Sequence, residues 1–310
     1  MKKMILLMVV LLLGGYLAAQ NFVADISLVS EMTVEQKSAF YKKTPPPFLV
    51  VYQKNGRTLV LLGAKHGVES LPAVQYAFDT YHPQVALIER EPGFPLEARD
   101  CHNMEDAYTA VLSAKNNIPL VRTDADLERQ WKYAQQNGFS YEDFQMFWII
   151  RSAYGLAKED GIQPTAAQEI KDYERTVHNP AWGPLFTEEG LLIYFQEHYN
   201  RDFNTTDFIS FYLDLMEVSP KKWVRKTPFY RLAHLNPDVR SVFMLQNIAA
   251  ALNEYEVVFS EMGAGHFMDI HKALKKMMGK PRYIPAEQIP QQELLIDCRL
   301  DNLQEKILVR

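Results

Sequence analysis

The stretch Thr58-Leu59-Val60-Leu61-Leu62-Gly63-Ala64-Lys65-His66 decides the fold. Thr58 to Leu62 is too uniformly apolar for a strand with one wet face, and it runs straight into Gly63-Ala64-Lys65-His66. Upstream, Phe48 to Gln53 is a second apolar strand. Lys54-Asn55-Gly56-Arg57 joins the two, and Asn-Gly accepts the positive φ that a two-residue hairpin turn requires. Downstream, Ser70 caps a helix that runs to Tyr81, with Leu71, Val74, Ala77 and Phe78 on one face, and His82-Pro83 ends it. Val85 to Ile88 is a short buried strand ending at Glu89. Glu105 to Asn116 reads as a helix, and Pro119 to Arg122 as another strand, ending at Asp124. Short continuous apolar strands alternating with helices predict an α/β fold. Its central sheet is mostly parallel and is flanked by helices.

From Leu127 to Glu254 the strand signal gives way to helices rich in aromatics: Tyr141 to Lys158, Thr165 to Val177, Thr187 to Tyr199, Thr206 to Met216 and Asp238 to Leu252. At this spacing aromatics build a core more often than a cofactor box. Val257 to Ser260 then returns to strand and leads into Glu261-Met262-Gly263-Ala264-Gly265-His266, with a helix following to Met278. Arg282 to Ile284 and Leu294 to Ile296 are candidate closing strands. The expected organisation is one α/β domain over residues 20–310, with a core from 48–124 and 238–298 and a helical insertion over 125–237.

The chain opens with Lys2 and Lys3, an apolar run from Met4 to Leu13, and small residues to Ala18-Ala19. That is the charged-apolar-small order of a cleaved signal peptide over residues 1–19. The run is about half the roughly 20 apolar residues that a spanning helix needs. The expectation is a periplasmic or secreted bacterial protein that begins near Gln20 and has no stable membrane insertion after cleavage. The 310 residues carry 33 Lys and Arg against 38 Asp and Glu, a net charge of −5 that becomes more negative once Lys2 and Lys3 are lost. An acidic chain without a basic block argues against a nucleic-acid partner. Cys101 and Cys298 are the only cysteines, too few for a disulfide scaffold or a zinc-thiolate site, and an oxidising compartment permits them to pair.

Two sequences stand out as a pair: Gly63-Ala64-Lys65-His66 and Gly263-Ala264-Gly265-His266. Each is Gly-x-x-His directly after an apolar strand. In a parallel α/β sheet, ligands bind beyond the carboxyl ends of the strands. A glycine there lets the backbone turn sharply, so that a side chain three residues on points back over the edge. His66, His266 and Glu89 should therefore converge on one rim. Two imidazoles and a carboxylate make either a divalent-metal triad or an acid–base site. Glu261 also follows a strand and competes with Glu89. Asp124 reads as a helix N-cap. His271 lies five positions after His266, where a helical metal pair needs four. No Gly-x-Ser-x-Gly elbow, phosphate loop or dinucleotide turn is present.

At these residues the sequence resembles the TraB/GumN/Tiki superfamily, whose wider relatives include erythromycin esterases and ChaN-like haem-binding proteins. The shared pattern is two Gly-x-x-His motifs, a Glu after the second core strand, and an Arg in the helix before the last motif. Here these are His66, Glu89, Arg240 and His266. Asn236-Pro237-Asp238-Val239-Arg240 and Gly279-Lys280-Pro281-Arg282-Tyr283-Ile284-Pro285 are similar to the family's approach and closing segments. The match covers residues 48–124 and 238–286. Ala64 stands where members often carry Thr or another small polar residue, and Lys65 places a cation beside the motif. The resemblance implies an exported hydrolase of a peptide or small molecule, of the kind proposed as metal-dependent peptidases. His66, His266 and Glu89 would hold a divalent metal and activate water, and Arg240 would steady a carboxylate or an oxyanion. A metal-free esterase-like version uses one His as general base, helped by Glu89. The alternatives from other classes are a protein that binds haem or another flat ligand through His or Tyr, and an inactive module that binds a partner.

Overall fold

The computed structural model describes residues 21–29, 34–89, 101–102, 104–216, 222–290 and 294. The expected signal peptide, Ile296 and Cys298 lie outside them. Cys101 is buried and disulfide-bonded. None of the described helices is long and apolar enough to cross a membrane.

The protein is α/β, built on a six-stranded mixed sheet. Its strands are β1 (Phe48–Lys54), β2 (Arg57–Ala64), β3 (Val85–Ile88), β4 (Leu120–Arg122), β5 (Val257–Gly263) and β6 (Arg282–Pro285), in the order β4-β3-β5-β2-β1-β6. β4, β3, β5 and β2 are parallel, and β1 and β6 complete one side by antiparallel pairing. The β1–β2 hairpin turns on Asn55 (φ 52°) and Gly56 (φ 74°), the two positive φ values its Asn-Gly sequence anticipates.

Helices cover both faces. α1 (Val34–Tyr41) precedes the sheet. α2 (Leu71–Tyr81) and α3 (Glu105–Lys115) bury Leu71, Val74, Phe78, Ala107 and Val111 against Val60, Leu62, Ala86, Ile88 and Phe259. On the other face α9 (Pro228–Glu254) and α10 (Ala264–Met278) bury Met244, Ile248, Phe267 and Ile270 against Leu59, Leu61, Val85, Leu87 and Val258. Between β4 and α9 lie α4 (Leu127–Gln136), α5 (Tyr141–Glu159), α6 (Ala166–Thr176), α7 (Glu188–Tyr199) and α8 (Phe208–Leu215). They enclose a third core in which Phe195 packs against Tyr199, Phe203, Phe208 and Phe211.

The boundary expected between residues 237 and 238 falls inside α9, which runs unbroken through 236–238. A proline normally ends a helix interior at a cost of about 3 kcal/mol. Here each half of the helix is anchored in a different core, Phe229 and Leu232 among the inserted helices and Met244, Leu245 and Ile248 beneath the sheet. α9 therefore joins the two parts of the molecule and carries Arg240 at the junction.

Candidate active site

β2 and β5 are neighbours in parallel register, with Ala64 opposite Gly263, so the two Gly-x-x-His motifs start almost level on one edge. The chain leaves β2 toward α2 on one face and leaves β5 into α10 on the other. That divergence is the switch point at which α/β sheets form their binding crevice.

The glycines serve space rather than turning. Gly63 lies within β2, and a Cβ there would run into the ring of Phe48, its cross-strand partner. Gly263 has φ −53° and ψ 137°, a conformation open to any residue. A Cβ on it, however, would stand 2.9 Å from His66 Nε2 and 3.3 Å from Glu89 Oε2. The sharp turn comes after His66, at Gly67 with φ +123°. Ser70 makes no capping bond; its hydroxyl donates to the Lys65 carbonyl (2.6 Å) and closes the loop. The second motif is not a loop either. β5 runs on to Gly263 and α10 starts at Ala264, so His266 sits in that helix's first turn.

Glu89 is the hub. Its Oε1 accepts from Arg240 Nη2 (2.6 Å) and faces His266 Nε2 at 3.3 Å, while its Oε2 accepts from the Gly263 N–H (2.5 Å). Burial pushes its carboxyl pKa up, but His266, Arg240 and the Gly263 N–H outweigh burial and hold it well below the usual carboxylate range. Arg240 is committed to internal carboxylates. Its Nε donates to both oxygens of buried Asp124 (2.8 Å each), and Nη2 also reaches Asp124 Oδ2. This corrects one expectation: Asp124 is an anchor for Arg240, because Asp126 takes the N-cap of α4. Arg240, expected to steady a carboxylate or an oxyanion, bonds two protein carboxylates, Glu89 and Asp124.

Two further carboxylates complete the site, Glu105, which the motifs did not reveal, and Glu261, the expected competitor of Glu89. Glu105, at the first position of α3, is 2% exposed. Its Oε1 lies 2.5 Å from His66 Nδ1, and its Oε2 accepts the Gly67 N–H (2.9 Å). The bond from Glu105 raises the His66 pKa, against burial and Arg240, which lower it. Glu261, on β5 beneath the site, accepts the Glu89 N–H at Oε1 (3.1 Å), and its Oε2 has no partner among the described residues. Burial, then the charges of Glu105, Asp106 and Glu89, raise its carboxyl pKa well above the usual range. The only available signal for Glu105 was an acidic first turn, Glu105-Asp106, on a helix that opens beside the strand edges.

As a metal centre this arrangement fits poorly. Both oxygens of Glu89 are engaged by donors, and the nearest charge to it is a guanidinium. Among the described residues no three His, Cys, Asp or Glu side chains group as metal ligands. As an acid–base site it is well formed. The His66 side chain is 60% exposed, its Nδ1 is held by Glu105, and its Nε2 is free of any bond to Glu105. Beside it, the first-turn N–H groups of α10, at Ala264, Gly265 and His266, have no intrahelical acceptor, and among the described residues the N-cap, Gly263, offers no side chain to cap them. A Cβ on Gly265 would meet nothing within 4 Å, so the helix start is open.

No family model matches this chain, and no curated protein or solved structure is significantly similar to it.

Proposed function

We propose that the protein is an exported hydrolase of TraB/GumN/Tiki type that activates water with the His66–Glu105 pair and needs no metal ion. The observation that carries this reading is the exposed imidazole of His66, whose Nδ1 is fixed to a buried carboxylate and whose Nε2 lies over Gly263 at the start of α10. In the neutral ring Nδ1–H donates to Glu105, so Nε2 carries the lone pair and can take a proton from water. The imidazolium that forms is stabilised by the Glu105 charge. Its Nε2–H then returns the proton to the leaving group as the tetrahedral intermediate collapses. The negative oxygen of that intermediate is met by the free N–H groups at the start of α10, where the helix dipole adds positive potential. Glu89, Arg240 and Asp124 form the buried floor that sets the spacing between the two motifs. A substrate of this site presents an ester or amide carbonyl to the rim.

The test is hydrolysis of p-nitrophenyl esters and fluorogenic peptides by protein dialysed against EDTA. Wild-type protein should turn over at least one of these probes. His66→Gln should lose about a hundredfold or more, the usual contribution of a positioned general base.

A further inference from the structure

His266 is held differently from His66. Its side chain is 12% exposed and its Nδ1 is turned away from the rim, toward α9. The Ser241 hydroxyl, fully buried and one residue after Arg240, lies 2.9 Å from His266 Nδ1 and 3.4 Å from Oδ2 of Asp269. Asp269 is 2% exposed and stands three residues after His266 on α10. On its other side Lys37, from α1, comes within 3.8 Å of Oδ1. A chain of polar groups thus runs from the helix that precedes the sheet, through Asp269 and Ser241, to His266 and on to Glu89.

We infer that Ser241 and Asp269 are positioning residues that fix the ring orientation and tautomer of His266. The chemistry of each partner sets the direction. Ionised Glu89 only accepts, so the His266 Nε2 facing it carries the hydrogen. A neutral imidazole then has a bare Nδ1, and a hydroxyl is the partner that can donate to it. The 2.9 Å contact lies within hydrogen-bond range, whereas 3.4 Å to Asp269 is long for an O–H···O bond. The hydrogen of Ser241 therefore belongs to His266. Asp269, one step out, is the other acceptor for that single hydrogen, and Lys37 on its far side offsets its buried charge and leaves the hydroxyl to the ring. A ring free to flip or change tautomer would lose its bond to Glu89 and loosen the carboxylate that spaces the two motifs. This inference deepens the hydrolase reading above, but its test does not depend on turnover.

The experiment is long-range 1H–15N correlation of the full chain labelled with 15N-histidine, with His266 assigned by its absence in His266→Gln. The wild-type ring should be the Nε2–H tautomer. Ser241→Ala should give mixed tautomers, Ser241→Thr should restore the single form, and Asp269→Asn should shift the pattern part of the way. Where an ester probe is hydrolysed, Ser241→Ala should lower kcat about tenfold or more with little change in KM. A wild-type Nδ1–H ring overturns the inference, as does a His266 spectrum unchanged in both Ser241→Ala and Asp269→Asn. Normal tautomers in a protein that hydrolyses nothing would instead count against the hydrolase reading alone.

Discussion

The Nδ1 of His66 lies 2.5 Å from Oε1 of Glu105, which pairs an exposed imidazole with a carboxylate almost wholly removed from water. That bond is the largest influence on His66 and raises its pKa above the ordinary value of 6.5. A raised pKa stabilises the folded state fully below the unfolded value near 6.5, and that contribution is lost as pH rises through the folded value. Catalysis by the neutral ring has the opposite sense. Activity should rise with pH along a limb centred above 6.5. Glu105→Gln should move the limb to lower pH, because the carboxylate that favours the imidazolium is gone. An NMR titration of His66 alongside the pH–rate profile checks both statements.

Gly263→Ala should damage the site while sparing the fold. The backbone at Gly263 suits alanine, so the added methyl meets only side-chain atoms, His66 Nε2 at 2.9 Å and Glu89 Oε2 at 3.3 Å. His66 is exposed at the rim, so its ring can shift into solvent at the expense of its bond to Glu105. The expected result is a stability change of about 1 kcal/mol or less by urea unfolding, with a loss of activity about as large as that of His66→Gln.

Arg240→Met should be strongly destabilising at neutral pH, by about 3 kcal/mol, because Glu89 and Asp124 would remain as buried carboxylates without their shared cation. Glu89 has a folded-state pKa depressed below 4.5, so its contribution is present above that value and is lost as pH falls through the folded one. The deficit of the variant should therefore shrink as pH drops below about 4.5 and Glu89, without its cation, protonates. Urea midpoints for both proteins between neutral and acidic pH measure this.

The two histidines should separate in stability. Both were expected on the rim of the sheet. His66→Ala should cost about 1 kcal/mol or less, because removing the exposed ring lets water reach Glu105 Oε1, whose other oxygen keeps the Gly67 N–H. His266 is 12% exposed and bonded at both nitrogens, so His266→Ala should cost about 1–3 kcal/mol by leaving the Ser241 hydroxyl and one Glu89 contact unsatisfied.

Much of this was legible in the sequence. Apolar runs ending at Leu62, Ile88 and Ser260 were enough to place parallel strands side by side, and Asn55-Gly56 marked the hairpin. The same strand ends brought His66, Glu89 and the second motif to one edge. What stayed hidden depended on side chains meeting across long stretches of chain. Gly63 and Gly263 read as turn residues because glycine's commonest role is conformational, whereas here each makes room for a neighbouring side chain. Asp124 and Asp126 both suit a helix N-cap, and only the position of Arg240 reveals which one is free for a second task. Glu105 looked like an acidic residue placed for the helix dipole, which also disguises a histidine partner. Nothing local marks Ser241, whose role comes from the packing of α9 on α10.

The central claim is that water is activated by His66 with Glu105, without a metal ion. The most direct measurement is kcat/KM for an ester or peptide probe by EDTA-dialysed protein, with and without added Zn²⁺ or Mn²⁺, for wild type and Glu105→Gln. The account predicts undiminished wild-type activity after chelation, no gain on adding metal, and a loss of about tenfold or more in Glu105→Gln. Activity that disappears on chelation and returns with the metal, or that survives unchanged in Glu105→Gln, would contradict it.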